Sequence, residues 1–196
     1  MKISRTAWAG IAACVILIAA GLLGAAAWRD HQGVAEPLAI GGPFTLASAD
    51  GPVTDKDFRG RWMLIYFGYT HCPDACPTTL NDMATTLDKL PKANRDHVVP
   101  LFITVDPDRD TPAIIGDYAK AFGPQFIGLS GTQAQVTQAE HAYRVYAAKH
   151  PLKGQDYAMD HSSVLYLMKP DGSFSSVFTE SESPADMAQR LLKLGV

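Results

Sequence analysis

Two nearly continuous apolar runs, Arg61 to Phe67 and Val98 to Val105, constrain this chain's fold more than any other feature. A strand with one wet face alternates polar and apolar residues, whereas a strand covered on both faces does not. Between the runs, Leu80, Met83, Ala84, Leu87 and Leu90 fall on one stripe of a helix expected over Asp74 to Leu90. A buried strand, a helix and a second buried strand form a βαβ unit. Such units build a largely parallel sheet with right-handed crossovers and helices on both faces.

The alternation continues downstream. Thr111 is a good N-cap and Pro112 suits the first helical position, which predicts a helix to about Phe122. Phe126 to Leu129 reads as a short strand. Thr132 to about Lys149 reads as a third helix, with Tyr143 and Tyr146 on its apolar stripe and His141 and His150 solvated. Ser163 to Met168 is another strand, turned by Asp171-Gly172 into Phe174 to Phe178, and Pro184 to Leu194 closes with an amphipathic helix. Upstream, Phe44 to Leu46 and Val53 flank Asp50-Gly51, a hairpin signal. A two-cysteine turn after a central strand, with a terminal ββα unit, points to an α/β, thioredoxin-like fold with an N-terminal β-hairpin extension.

The N-terminus has a different character. Trp8 to Ala27 is a 20-residue run without a charge, long enough to cross a bilayer as a helix. Lys2 and Arg5 precede it, which keeps the N-terminus in the cytoplasm and exports the rest. Ala25-Ala26-Ala27 offers a signal-peptidase site, and Ile11-Ala12-Ala13-Cys14 resembles a lipoprotein box. The apolar run, however, continues thirteen residues past Cys14, so a retained single transmembrane helix is expected. The expected organisation is a cytoplasmic tip and anchor over 1–30, a polar linker over 31–42, and one domain over 43–196. Without residues 1–30 the chain keeps 14 basic and 19 acidic residues, a net charge of −5, which gives no basic face for nucleic acid.

Cys72 and Cys76 are the only cysteines outside that segment. An exported domain with a single cysteine pair is no disulfide-stapled scaffold, and the pair reads as a working one. Pro73 biases Cys72 away from helical geometry, and Asp74 is the expected N-cap, placing Cys76 in the first helical turn. There the positive end of the helix dipole favours thiolate. The C-x-x-x-C spacing is one residue wider than that of dithiol oxidoreductases. It permits a disulfide and equally suits a soft metal: copper(I), zinc or an iron–sulfur cluster. Two sulfurs alone make a poor closed site, so a third ligand is expected. His161, just before a strand that should neighbour the Cys72 strand, is the first candidate; His71 competes. Asp106, Asp108, Arg109 and Asp110 lack the glycine and glutamate of a calcium loop and read as turn-pinning and capping residues.

Four segments stand out: Phe67 to Pro77 (FGYTHCPDACP), Thr104 to Pro112 (TVDPDRDTP), Phe122 to Thr132 (FGPQFIGLSGT), and Asp160-His161-Ser162 followed by Val164 to Leu167. Together they resemble the Sco/SenC family of copper-binding assembly proteins for cytochrome c oxidase. The resemblance implies that Cys72, Cys76 and His161 match the family's copper ligands. They would hold copper(I) and tolerate copper(II). It also implies a membrane-anchored thioredoxin-like domain on the periplasmic or intermembrane-space side, and a bacterial inner membrane with the domain facing the periplasm is the expected location. Oxidase subunit II would be its partner, alongside other periplasmic copper carriers. Family members are described both as metallochaperones for the binuclear copper site of subunit II and as thiol-disulfide reductases of that site's cysteines. No Cys-x-x-Cys is present, and no proline stands directly before the Ser163 strand, so copper delivery is favoured over an enzymatic role. Cys72 and Cys76 are also expected to form a reversible disulfide. A peroxidase does not fit, since Thr70 lies two rather than three positions before Cys72.

Overall fold

Ala49 and Asp50 turn the first hairpin, one residue earlier than the Asp50-Gly51 signal places it, and β1 (Thr45–Ser48) pairs antiparallel with β2 (Gly51–Thr54), Ser48 opposite Gly51. The computed structural model describes residues 40–152, 154 and 156–196, together with 18–22 and 24. The chain divides into two units, Met1–Leu38 and Ala39–Val196. In the first, 18–22 and 24 are helical; the remainder of the expected 8–27 span, and the linker up to residue 39, lie outside the described residues. Among the described residues no helix is long and apolar enough to cross a membrane.

The two apolar runs become β3 (Trp62–Gly68) and β4 (Val98–Thr104), parallel neighbours in register from Trp62 against Val98 to Gly68 against Thr104. Every residue of β4 is buried, as an unbroken apolar run requires. Between them lie α1 (Ala75–Asp88) and the short α2 (Lys92–Arg95). Then follow α3 (Pro112–Lys120), β5 (Ile127–Leu129), α4 (Gln133–Tyr143), β6 (Ala147–Pro151), β7 (Tyr157–His161), β8 (Val164–Met168), β9 (Phe174–Thr179) and α5 (Pro184–Leu194). The central sheet runs β5-β4-β3-β8-β9. Its β3, β4 and β5 are parallel, while β8 and β9 are antiparallel to their neighbours. The sheet is thus mixed, because a tight turn at Gly172 (φ 78°) joins β8 to β9 where a parallel pair would need a crossover.

Leu80, Met83 and Leu87 of α1 are fully buried, and α1 packs beside α5, which contributes Met187, Ala188 and Leu191. On β1 pack α3 and α4. Thr111 caps α3 as expected, its side chain accepting from the Ile114 amide at 3.3 Å.

The third helix is shorter than the sequence suggests. It stops at Tyr143 because Arg144 turns left-handed (φ 58°) and the Val145 amide closes onto Glu140 O at 2.8 Å. Residues expected to continue it form β6, which pairs with β7 as a separate two-stranded sheet. Tyr143 is buried in the core, but Tyr146 is 63% exposed. His150 lies on β6 instead of at a helix end.

Candidate metal centre

The site forms where β3 gives way to α1. A Cβ on Gly68 would sit 2.8 Å from Cys76 Sγ and 2.8 Å from the Phe102 ring. Only glycine lets the sulfur rest against the end of the strand. Beyond it the chain turns through Tyr69 and Cys72, whose amide donates to Tyr69 O at 3.3 Å. Asp74 holds the N-cap position but makes no side-chain cap bond. The Cys76 amide instead points at Cys72 Sγ, 3.3 Å away, so a sulfur occupies the place of the expected capping oxygen. Pro77 costs α1 nothing, since first-turn amides have no intrahelical partner.

The turn is also held from behind. Asp110, fully buried, accepts from the Thr70 amide at 3.0 Å, from Thr70 Oγ1 at 2.5 Å and from Thr104 Oγ1 at 2.7 Å. Asp110 thus pins more than its own turn, and nothing in the sequence spacing announces its bond to a residue forty positions earlier.

The imidazole arrives from the other side, on the last residue of β7. His161 Nδ1 lies 3.1 Å from Ser162 O, and because a carbonyl only accepts, Nδ1 carries the proton. Nε2 is left with a lone pair, 3.6 Å from Cys76 Sγ. The edges of two tyrosine rings, Tyr66 and Tyr69, each flank the imidazole at 5.9 Å between centroids. Burial lowers the His161 pKa, so the ring is neutral near pH 7.

Cys76 has no exposed surface, while Cys72 is half-buried; both are free thiols. Burial pushes the Cys76 thiol up to about 12, more than the opposing hydrogen bonds lower it. That reverses the thiolate preference expected of Cys76 from the helix dipole. Tyr66 Oη is 3.9 Å from Cys76 Sγ, and burial raises its pKa as well, so it stays a neutral hydroxyl.

Cys72, Cys76 and His161 offer three donor atoms within 4.8 Å of one another, and among the described residues no other such group forms. His71 is not part of it: its side chain is 55% exposed and its Nδ1 lies 3.1 Å from Thr70 Oγ1. The donors are two soft sulfurs and one neutral imidazole, a set that matches copper(I) and leaves a four-coordinate zinc site one ligand short. A cleft of about 250 Å³ opens beside Asp74, Ala75, Thr78, Ser163 and Glu180, with Ala75 next to Cys76 in the chain and Ser163 two residues from His161.

The SCO1/SenC family model matches residues 32–195. The chain belongs to the SCO1/SenC family. A mouse protein, the mitochondrial SCO1 homolog, is 42% identical over 163 residues, covering 82% of this chain and 57% of the relative. The chain therefore spans little more than half the length of the curated relatives it first matches. The solved structure of Bradyrhizobium japonicum ScoI with copper bound is 46% identical, covers 80% of this chain and 99% of its own, and superposes with a TM-score of 0.73. BsSco has 26% identity and a TM-score of 0.62 over 83% of this chain and 98% of its own. It is described as a member of the Sco family of cytochrome c oxidase assembly proteins with a disulfide switch. The fold is accordingly the Sco-type α/β arrangement of a central sheet and flanking helices.

Proposed function

We propose that this SCO1/SenC chain is a membrane-anchored copper metallochaperone that carries copper on Cys72, Cys76 and His161. Its cargo is destined for the binuclear copper site of cytochrome c oxidase subunit II. One observation carries the reading: two thiols and a neutral imidazole converge within 4.8 Å, in a family one of whose solved members holds copper. Copper(I) prefers thiolate sulfur, and the imidazole lets the same donors tolerate copper(II). In this reading residues 43–196 form a thioredoxin-like domain facing the periplasm. Residues 1–30 form the cytoplasmic tip and inner-membrane anchor, and 31–42 a linker that lets the domain reach its partner. Other periplasmic copper carriers would load it.

A thiol-disulfide reductase acting on the subunit II cysteines is the second reading. The free Cys72 and Cys76 thiols support it, together with the disulfide switch described for BsSco. Against it stands His161 Nε2, 3.6 Å from Cys76 Sγ, which occupies space that an extended disulfide substrate would need. Copper(I) titration of the full chain tests the assignment. The wild type should bind one equivalent tightly, Cys72→Ser and Cys76→Ser should lose tight binding, and His161→Ala should weaken it and change the copper(II) spectrum. Stoichiometric tight binding by Cys72→Ser would refute the ligand set.

A further inference from the structure

His161 rides on the β6–β7 hairpin, which shares no ladder with the central sheet. Of the residues on its two strands only Met159 is buried. An isolated two-stranded hairpin is marginal in water, so something other than its own core must fix it. The Lys149–Asp108 pair at 2.6 Å is solvent-exposed on both sides and contributes little.

Arg109 has a different standing. Its guanidinium lies over the Tyr157 ring, 3.8 Å from the centroid, and 5.7 Å from that of Tyr69. Nη1 donates to Tyr157 O at 3.0 Å and to Asp156 Oδ1 at 3.2 Å, and Nε donates to Asp106. The Asp106 carboxylate is fully buried and also accepts from Tyr157 Oη at 2.7 Å. Arg109 Nη2 is buried without an acceptor among the described residues. Leaving a guanidinium nitrogen unpaired is unfavourable, so the other contacts must hold the group there. Tyr69, the second ring beneath Arg109, is one of the two walls of the His161 imidazole.

We infer that Arg109, seated on Asp106, is a positioning residue for His161. It bolts the start of β7 to the loop after β4 and so sets where Nε2 stands relative to the two sulfurs, without touching the metal. The inference rests on the metal-binding reading above. A guanidinium is needed for the role, because a lysine ammonium provides neither the planar stack nor the fork of donors.

The test is a mutant cycle in the full chain. Arg109→Gln and Arg109→Lys are each made in the wild type and in His161→Ala, and copper(I) affinity is read by chelator competition. Groups that orient a metal-binding histidine typically change affinity by about ten- to a hundredfold. Since Arg109 acts through the hairpin, about tenfold weaker binding is expected in the wild-type background. In the His161→Ala background no further loss should appear, as no imidazole remains to be placed. Equal losses in both backgrounds, or no loss in either, would overturn the assignment.

Amide hydrogen exchange of the metal-free chain supplies an independent readout. Arg109→Gln should accelerate exchange of the amides that pair β6 with β7 and leave those of α1 unchanged. Uniform acceleration, or none, would overturn the clamp. Should wild type and His161→Ala bind copper alike, the ligand assignment fails, and the exchange data still decide whether Arg109 holds the hairpin.

Discussion

Copper(I) binding should become tighter as pH rises, and the slope follows from the burial of Cys76. Its thiol keeps its proton up to about 12, chiefly because the charged form is desolvated. The metal displaces that proton, so the two compete, and removing protons from solution favours the metal. At pH 7, some five units lower, forming the bare thiolate costs on the order of 7 kcal/mol, which the metal–sulfur bond must exceed. His161 contributes little to the slope above neutral pH, because burial lowers its pKa from the ordinary histidine value and so favours the neutral ring. One proton released gives about a tenfold gain in affinity per pH unit, hence about a hundredfold from pH 6.5 to 8.5 for Cys76 alone. Competition with a chromophoric copper(I) chelator of known pH dependence measures the slope. Proton release in weakly buffered solution provides a second count. An affinity flat across that range would refute the picture of a buried, protonated thiol.

Other outcomes follow from the same structure. Gly68→Ala would place a Cβ 2.8 Å from Cys76 Sγ; the overpacking should destabilise the fold by about 1–3 kcal/mol in chemical denaturation and weaken copper binding, and an unchanged midpoint would contradict the tight fit. Oxidation of Cys72 and Cys76 to a disulfide should exclude copper, since the metal needs both sulfurs reduced; alkylation trapping checks this, and equal copper loading of the oxidised protein would remove the switch. A periplasm-dependent reporter fused after Val196 should be active in the membrane fraction, whereas a soluble, shortened product would favour cleavage at Ala25-Ala26-Ala27.

The central layers could be read from the chain because their signals are local. The runs that become β3 and β4 are almost wholly apolar, and Thr111-Pro112 announces α3 by capping chemistry alone. The β6–β7 hairpin could not be read this way. Arg144 adopts a left-handed turn without being glycine, and Val145 to Lys149 carry no helix breaker, so only the pairing with Tyr157 to His161 reveals a strand. The convergence of Cys72, Cys76 and His161 is visible in outline because β8 pairs with β3. What supports that convergence is long-range: Asp110 holds Thr70, and Arg109 holds Tyr157. Nor does spacing foretell that burial would outweigh the helix dipole at Cys76.

Copper transfer tests the central claim most directly. The copper(I)-loaded chain is mixed with a separately reduced, metal-free domain of oxidase subunit II, and the spectrum of the binuclear copper site is followed. Transfer that appears with wild type and is lost with Cys72→Ser is the predicted result. If no copper moves, yet the metal-free dithiol form readily reduces the oxidised partner, delivery is contradicted and the chain is a thiol reductase.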